Sequence, residues 1–435
     1  RRPGNWPPLC LKSTMRYFLY NNLWRLAAPM LRRRFRKRAG EAPLMERFAP
    51  SIAPSVQSPI WIHACSLGEV NTAAPLVKAV RSFYGESGVL LTSSTLTGRD
   101  RALQVAGEHS AYFPLDHPAS VRRFLDAAKP RLLVLVETEL WPNVLRQCAR
   151  RKIPVLVVNA RLSDKHFARY QKYRGLVAPM FSCISQVAAQ SAEHAQRFVA
   201  MGVPANRVQV TGNMKFEATP PDPPQMQRMK LRASCGIPEH APLLVFGSTR
   251  PGDEALASAC WATLREEYPA LHLVVAPRHI DRRDEVRAQF GEPVLLRSAI
   301  KEGQAQPAGE RVLLVDTMGE LSQFYAAANL AVIGGSFYPG VEGHNPLEAA
   351  ALGIMTVFGP HMRNFEEPAA ALVQAEAAVQ VACPEDLYET LSRLIRDTLA
   401  LRQTGTLARR VVLDHQGATQ RNLKLIQQIV PASRD

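Results

Sequence analysis

Short, predominantly apolar runs recur along this chain, and each is followed by a polar turn and a helical stretch. From residue 59 they fall at 60–64, 89–92, 132–136, 155–158, 187–189 and 208–210. A strand that is apolar on both faces has to be buried on both faces. Alternation with helices therefore predicts a parallel sheet covered on each side. The pattern stops at Ala218-Thr219-Pro220-Pro221-Asp222-Pro223-Pro224, where four prolines can continue neither a helix nor a central strand. It restarts at 243–247, 271–275, 312–315, 330–333 and 355–358. The expected fold class is α/β with two doubly wound, Rossmann-like domains. The expected boundaries are an N-terminal extension and surface helix (1–45), a first domain (46–217), a linker (218–228), a second domain (229–398) and a C-terminal helical segment (399–435). A length of 435 residues is too great for one ordinary core and agrees with two.

Net charge is +15, but residues 1–50 alone hold twelve Lys or Arg against two Glu. The run Arg32-Arg33-Arg34-Phe35-Arg36-Lys37-Arg38 concentrates it further. A nucleic-acid-binding face spreads basic residues over a folded surface with aromatics between them, so no nucleic-acid partner is expected. Just upstream, residues 17–31 are rich in aromatics but interrupted by Asn21, Asn22 and Arg25. A spanning helix needs about 20 apolar residues. This stretch instead fits a helix lying in the headgroup region, with the basic run on an anionic membrane surface. A signal-like leader or a solvated tail are the blander readings, and no small-residue cleavage site favours export. Met15 is a candidate start, which would make residues 1–14 upstream sequence. The seven cysteines form no CxxC pair, so the expectation is a reducing compartment with no disulfide framework and no zinc site.

In open α/β sheets ligands sit beyond the carboxyl ends of strands. Two such domains are expected to face each other across a cleft, so the residues just after strands carry the chemistry. After the first strand, Ser66-Leu67-Gly68-Glu69 has capping-box spacing, with Ser66 as N-cap and Glu69 at N3. Alternatively, Glu69 projects into a partly dehydrated cleft as a general base. After the third strand, Glu137 and Glu139 either cap the helix beginning near Trp141-Pro142 or position an acceptor. In the second domain Gly247-Ser248-Thr249-Arg250 and Gly334-Gly335-Ser336 follow strands. The latter lacks the spacing of a dinucleotide fingerprint, so NAD is not supported. Asn345 is expected to cap a helix with Pro346 at N1, leaving N–H groups for a phosphate, and Glu348 either supports that cap or binds ribose. Arg278 and His279 follow another strand, and Arg278 either pairs with phosphate oxygens or forms a surface salt bridge.

Taken in order, these motifs resemble the Kdo transferase family of lipopolysaccharide synthesis. The carriers are Leu19-Tyr20-Asn21, Arg47-Phe48, His63-Ala64-Cys65-Ser66-Leu67-Gly68-Glu69, Thr92-Ser93-Ser94-Thr95, Phe113-Pro114-Leu115-Asp116, Glu137-Thr138-Glu139-Leu140-Trp141-Pro142-Asn143 and Asn159-Ala160-Arg161-Leu162-Ser163. They continue with Gly212-Asn213-Met214-Lys215, Pro277-Arg278-His279, Asp316-Thr317-Met318-Gly319-Glu320-Leu321 and Gly343-His344-Asn345-Pro346-Leu347-Glu348. Two departures stand out: Ala49-Pro50 where the family usually has Gly, and Glu342 where it usually has a second Gly before His-Asn. The resemblance implies a GT-B fold and inverting transfer of Kdo, without a metal or other cofactor, from CMP-Kdo to a lipid A precursor such as lipid IVA. It further implies a place on the cytoplasmic face of a bacterial inner membrane. Glu69 matches the family's base. Ser66, Gly68, Glu137, Glu139 and Lys215 would shape the acceptor side. Arg278, His279 and Asn345 would lie near the donor phosphate, with Ser248 and Thr249 as further candidates; Glu348 would lie near the ribose, and Met318-Gly319 near the base. The final helix is expected to cross back onto the first domain. The rival readings are a GT-B transferase using a UDP-sugar and a non-catalytic peripheral membrane protein that binds nucleotide.

Overall fold

The computed structural model describes residues 14–37, 39–291, 293–300 and 311–431. The chain divides into two compact units, Arg1–Ala218 with Gln416–Asp435, and Thr219–His415. The first carries seven parallel strands: β1 (Ile60–His63), β2 (Val89–Ser93), β3 (Ser110–Tyr112), β4 (Leu132–Val136), β5 (Val155–Ala160), β6 (Gln186–Ala189) and β7 (Val208–Val210). Their order is β3-β2-β1-β4-β5-β6-β7. Every residue of β1, β2, β4 and β5 is buried, as strands covered on both faces must be. On one face Trp61 and Leu133 join Phe113 and Phe124; on the other Ile60 and Ile62 join Val70 and Leu76.

The second unit repeats the plan with β8 (Leu243–Thr249), β9 (His272–Pro277), β10 (Val294–Leu296), β11 (Val312–Leu314), β12 (Leu330–Ile333), β13 (Met355–Phe358) and β14 (Ala378–Gln380). The order is β10-β11-β9-β8-β12-β13-β14. Succession along each sheet reverses at β1/β4 in the first unit and at β8/β12 in the second. The loops beyond the carboxyl ends of these four strands therefore diverge and leave a crevice in each unit.

The helix Thr398–Asp414 stays with the second unit, where the sequence reading had it leave with the last segment. Its Gly405 explains why: a Cβ there would lie 2.0 Å from the Gly353 carbonyl oxygen, so the helix backbone rests directly on that loop. The helix Ala418–Ile429 belongs to the first unit, where Leu423, Leu425 and Ile426 fill the core beside Val70 and Leu76. Thr419 N–H donates to Glu217 at 2.8 Å and Arg421 Nε to the Thr211 carbonyl at 2.7 Å.

Near the N-terminus, the helix Thr14–Lys37 docks through Trp24, Ala28, Leu31 and Phe35 onto Phe48 and Leu115. Tyr20 donates to Asp116 at 2.9 Å. Leu23, Leu26 and Met30 point outward, 65%, 72% and 73% exposed. Among the described residues no helix is long and apolar enough to cross a membrane. Cys65, Cys148, Cys235, Cys260 and Cys383 are free thiols.

Candidate functional site

In the first unit the chemistry gathers beyond β1 and β4. The helix Leu67–Tyr84 starts directly after β1, with Ser66 extended at its N-cap (φ −118°, ψ 169°) and its hydroxyl accepting from Glu69 N–H at 3.5 Å. The Glu69 carboxylate turns back: one oxygen accepts Cys65 N–H at 2.8 Å and the other the Ser66 hydroxyl at 3.0 Å. Glu69 is therefore fixed as part of the cap, yet only half-buried. Gly68 is exposed beside it, and a Cβ there would meet nothing within 4 Å, so the approach to the helix start is open.

Glu137 and Glu139 do not cap the helix Pro142–Arg150. That role belongs to buried Asp116, whose carboxylate accepts Asn143 N–H at 3.0 Å and Val144 N–H at 2.9 Å. Glu137 adopts φ +61°, an uncommon conformation for a residue with a side chain. Its carboxylate lies 3.7 Å from Lys215 Nζ, which arrives from the turn after β7. Glu139 accepts from Trp141 Nε1 at 2.9 Å. Burial and the nearby Glu137 charge push Glu69 up to about 8, against the opposing pull of the Cys65 N–H; Glu139 adds to the rise. The carboxylate is thus costly to ionise, and a strong proton acceptor once ionised.

Sequence reading gave no role to Arg47 or His63. Arg47 reaches in from the N-terminal segment and donates to the carbonyls of Phe113 (3.1 Å) and Ser94 (3.3 Å), placing a half-buried cation near Cys65 and Glu139. His63, at the end of β1, is fully buried against Phe113.

In the second unit a cationic group forms beyond β8, β9 and β12. Ser248 takes φ +56°, and Gly334 permits the close pass of the β12 loop, because a Cβ there would lie 2.6 Å from the Ser248 carbonyl oxygen. Arg250 donates to His344 Nε2 at 3.3 Å and meets His279 Nε2 at 2.7 Å. Asp253 ties the loops together, accepting Gly335 N–H at 2.6 Å and Arg250 N–H at 2.9 Å. Burial, then Arg250 and Arg278, hold His344 down at about 4; burial and Arg278 lower Arg250. Cations that disfavour one another in this way make a site suited to an anion. Arg250, His344 and Asp253 had not been singled out as site residues by sequence.

Other expected donor-side residues fare differently. Arg278 is half-buried and His279 exposed within the cationic group. Thr249 is fully buried with its hydroxyl on Glu254 at 3.0 Å, so that hydroxyl is not available to a phosphate. Asn345 does accept Leu347 N–H, at 3.0 Å, but the helix Leu347–Ala350 has only four residues and a correspondingly small dipole. Glu348 sits 3.5 Å from Asn345 Nδ2 and is raised by burial, partly offset by Asn345 and Arg278. Met318 is 70% exposed and Gly319 turns the chain at φ +83°.

Solved structures share the fold at low identity. The UDP-GlcNAc 2-epimerase of Neisseria meningitidis, bound to UDP-GlcNAc, matches 85% of this chain and 100% of its own with TM-score 0.58 and 13% identity. The S. aureus MnaA–UDP structure matches 85% and 96%, with TM-score 0.55 and 14% identity. These likenesses, with the two parallel sheets, establish the GT-B-type fold. The family model described as 3-deoxy-D-manno-octulosonic-acid transferase (kdotransferase) matches residues 33–218, the stretch that holds Arg47, His63, Glu69, Glu137 and Lys215. The 3-deoxy-D-manno-octulosonic acid transferase of Bordetella pertussis is 31% identical over 93% of this chain and 92% of its own. That of Haemophilus influenzae is 32% identical over 85% and 86% respectively. Resemblance across both units, rather than in one shared nucleotide-binding half, makes this chain a member of the 3-deoxy-D-manno-octulosonic acid transferase family.

Proposed function

We propose that the chain transfers Kdo from CMP-Kdo to the hydroxyl of a lipid A precursor such as lipid IVA, with inversion and with Glu69 as the base. The observation that carries the reading is the placement of Glu69. It stands at an open helix start beyond the switch-point strand β1, held by the Cys65 N–H and Ser66 hydroxyl with two further carboxylates nearby. Glu69 takes the acceptor proton as the acceptor oxygen bonds to the anomeric carbon of Kdo. The bond from that carbon to the phosphate oxygen breaks, and its electron pair leaves with CMP.

On this reading the first unit binds the acceptor, with Ser66, Gly68, Glu137, Glu139 and Lys215 shaping its side, and the second binds the donor. CMP departs as a phosphate monoester, and Arg278 with His279 and Arg250 offsets its growing charge. Glu348 would hold the ribose, Asn345 would lie near the phosphate with Ser248 joining it through its loop, and Met318-Gly319 would face the base. The outward stripe of Leu23, Leu26 and Met30, next to the Arg32–Arg36 run, fits a helix lying on the anionic cytoplasmic face of the inner membrane, where such a lipid acceptor is found.

The test is mass spectrometry of lipid IVA incubated with CMP-Kdo and either wild type or Glu69→Gln. Kdo addition by wild type alone supports the whole reading. Addition by both keeps the transferase and reduces Glu69 to a cap. Addition by neither, with folded protein and vesicles present, returns the donor question to UDP-sugars.

A further inference from the structure

Within the first unit, His63, Cys65 and Glu139 bring one nitrogen, one sulfur and one oxygen within 4.8 Å of one another. Sequence places two of them at the end of β1, two residues apart, and the third just beyond the neighbouring strand β4. His63 is fully buried. Its Nδ1 lies 3.1 Å from the Thr92 carbonyl oxygen, which can only accept, so the ring proton is on Nδ1 and Nε2 presents a bare lone pair. That Nε2 has no partner in a site from which water is excluded. The ring is held in this orientation by that bond and by stacking on Phe113, with centroids 3.7 Å apart and planes 24° from parallel. A histidine whose far nitrogen is held by a backbone carbonyl while the near one is bare is in the arrangement that metal-binding histidines adopt.

The other two ligands are set with comparable firmness. Cys65 is a free thiol, and its backbone is pinned on both sides: its carbonyl accepts the Ser93 hydroxyl at 2.7 Å and Ser94 N–H at 3.0 Å, while its N–H holds Glu69. Trp141 fixes one oxygen of Glu139 and leaves the other for a ligand. We infer that His63, Cys65 and Glu139 form a three-ligand site for a zinc-class divalent cation, and that its occupant inhibits transfer. Tetrahedral zinc bonds of about 2.0–2.3 Å put ligand atoms roughly 3.3–3.8 Å apart, so closing the site needs movements on the order of 1 Å. The mixed N, S, O set selects zinc or cobalt and rejects magnesium and calcium, which take oxygen. Arg47 is the opposing charge: its guanidinium lowers affinity for a dication while two ligand anions and the neighbouring Glu69 and Glu137 raise it. Three protein ligands leave a fourth position open. Glu69, tethered to Cys65, is the adjoining carboxylate, and a cation that draws it in removes it from the acceptor.

Cobalt(II) is the probe, added to the full chain after treatment with chelator. The expected result is one equivalent bound, with a sulfur-to-cobalt charge-transfer band and intense tetrahedral visible bands, undisturbed by excess magnesium. Cys65→Ala should lose the charge-transfer band and bind more than about 100-fold more weakly, above the range for loss of an outer partner. Glu139→Gln, which can keep the Trp141 hydrogen bond, should bind more weakly while keeping the band; it decides the case if Cys65→Ala does not fold. Zinc should inhibit transfer by wild type, and by Cys65→Ala only at about 100-fold higher concentration, each relative to its own rate in chelator. No thiolate band in wild type, or the same band and affinity in Cys65→Ala, overturns the site. Equal zinc inhibition of the two proteins overturns the inhibitory role. Binding is read without turnover, so failure here is separate from failure of the proposed transfer.

Discussion

Replacing Glu69 by glutamine separates the two roles that its position allows. The amide oxygen can still accept Cys65 N–H, bonded at 2.8 Å in the native protein, and the amide nitrogen can donate to Ser66, whose hydroxyl then accepts instead of donating. No buried group loses its partner, so Glu69→Gln should change stability by less than about 1 kcal/mol below about pH 4.5, where the native carboxyl is protonated, and should be no less stable than wild type at higher pH. General-base catalysis contributes about 10²–10⁴-fold, or roughly 3–5 kcal/mol of barrier. Glu69→Gln should therefore lose that factor in kcat/KM while melting no lower than wild type. The pH profile sharpens the test. Burial and Glu137 raise Glu69 to about 8, so in chelator the wild-type kcat/KM should climb as pH rises through that value. Stability runs the other way. The folded pKa lies above the unfolded one, so the stability linked to Glu69 is full below about 4.5 and is lost as pH rises through about 8. Glutamine has no such loss, and the melting difference should move in its favour between pH 5 and 9. Transfer by Glu69→Gln at the wild-type rate, or a collapse of its melting temperature large enough to explain the lost activity, would refute the argument.

Glu137→Gln removes the largest charge acting on Glu69, so the rising limb of kcat/KM should shift to lower pH; an unmoved limb in a stopped pH series would detach Glu137 from the base. Arg278→Ala should weaken CMP by about 10–150-fold, the worth of about 1.5–3 kcal/mol for a charged hydrogen bond, measured by calorimetry; unchanged affinity removes Arg278 from the phosphate. Replacing Leu23, Leu26 and Met30 together by serine should reduce flotation with anionic vesicles at least tenfold. These side chains are already exposed, so melting should not fall, whereas deleting the helix would uncover Phe48 and Leu115.

How far the sequence could be read depended on the distance over which each signal operates. Long apolar strands announced themselves, while three-residue strands were read unevenly: β7 and β11 were found and β3, β10 and β14 were missed, because three residues are too few for a pattern. The stretches at and just beyond strand ends could be named in advance, and they do hold Glu69, Glu137, Ser248 and Arg278. Strand order could not be named, and it is strand order that selects β1 with β4 and β8 with β12. Local spacing found the Ser66–Glu69 cap, whose two bonds span three and four residues. It had no access to Arg47 on Phe113, 66 residues away, or to Arg250 on His344, 94 away. The capping of the helix Pro142–Arg150 shows the cost of local reading: nearby Glu137 and Glu139 were the candidates, and the cap came from Asp116, across a sequence gap of 27 residues. Freed from capping, the two glutamates stand beside Glu69 as charges, and it is as charges that they matter to it. The same reasoning applies to His63. Linear rules for metal ligands look for paired cysteines and found none, but a His-x-Cys step at a strand end needs only one carboxylate from the adjacent strand to complete a set, and parallel pairing of β1 with β4 supplies it.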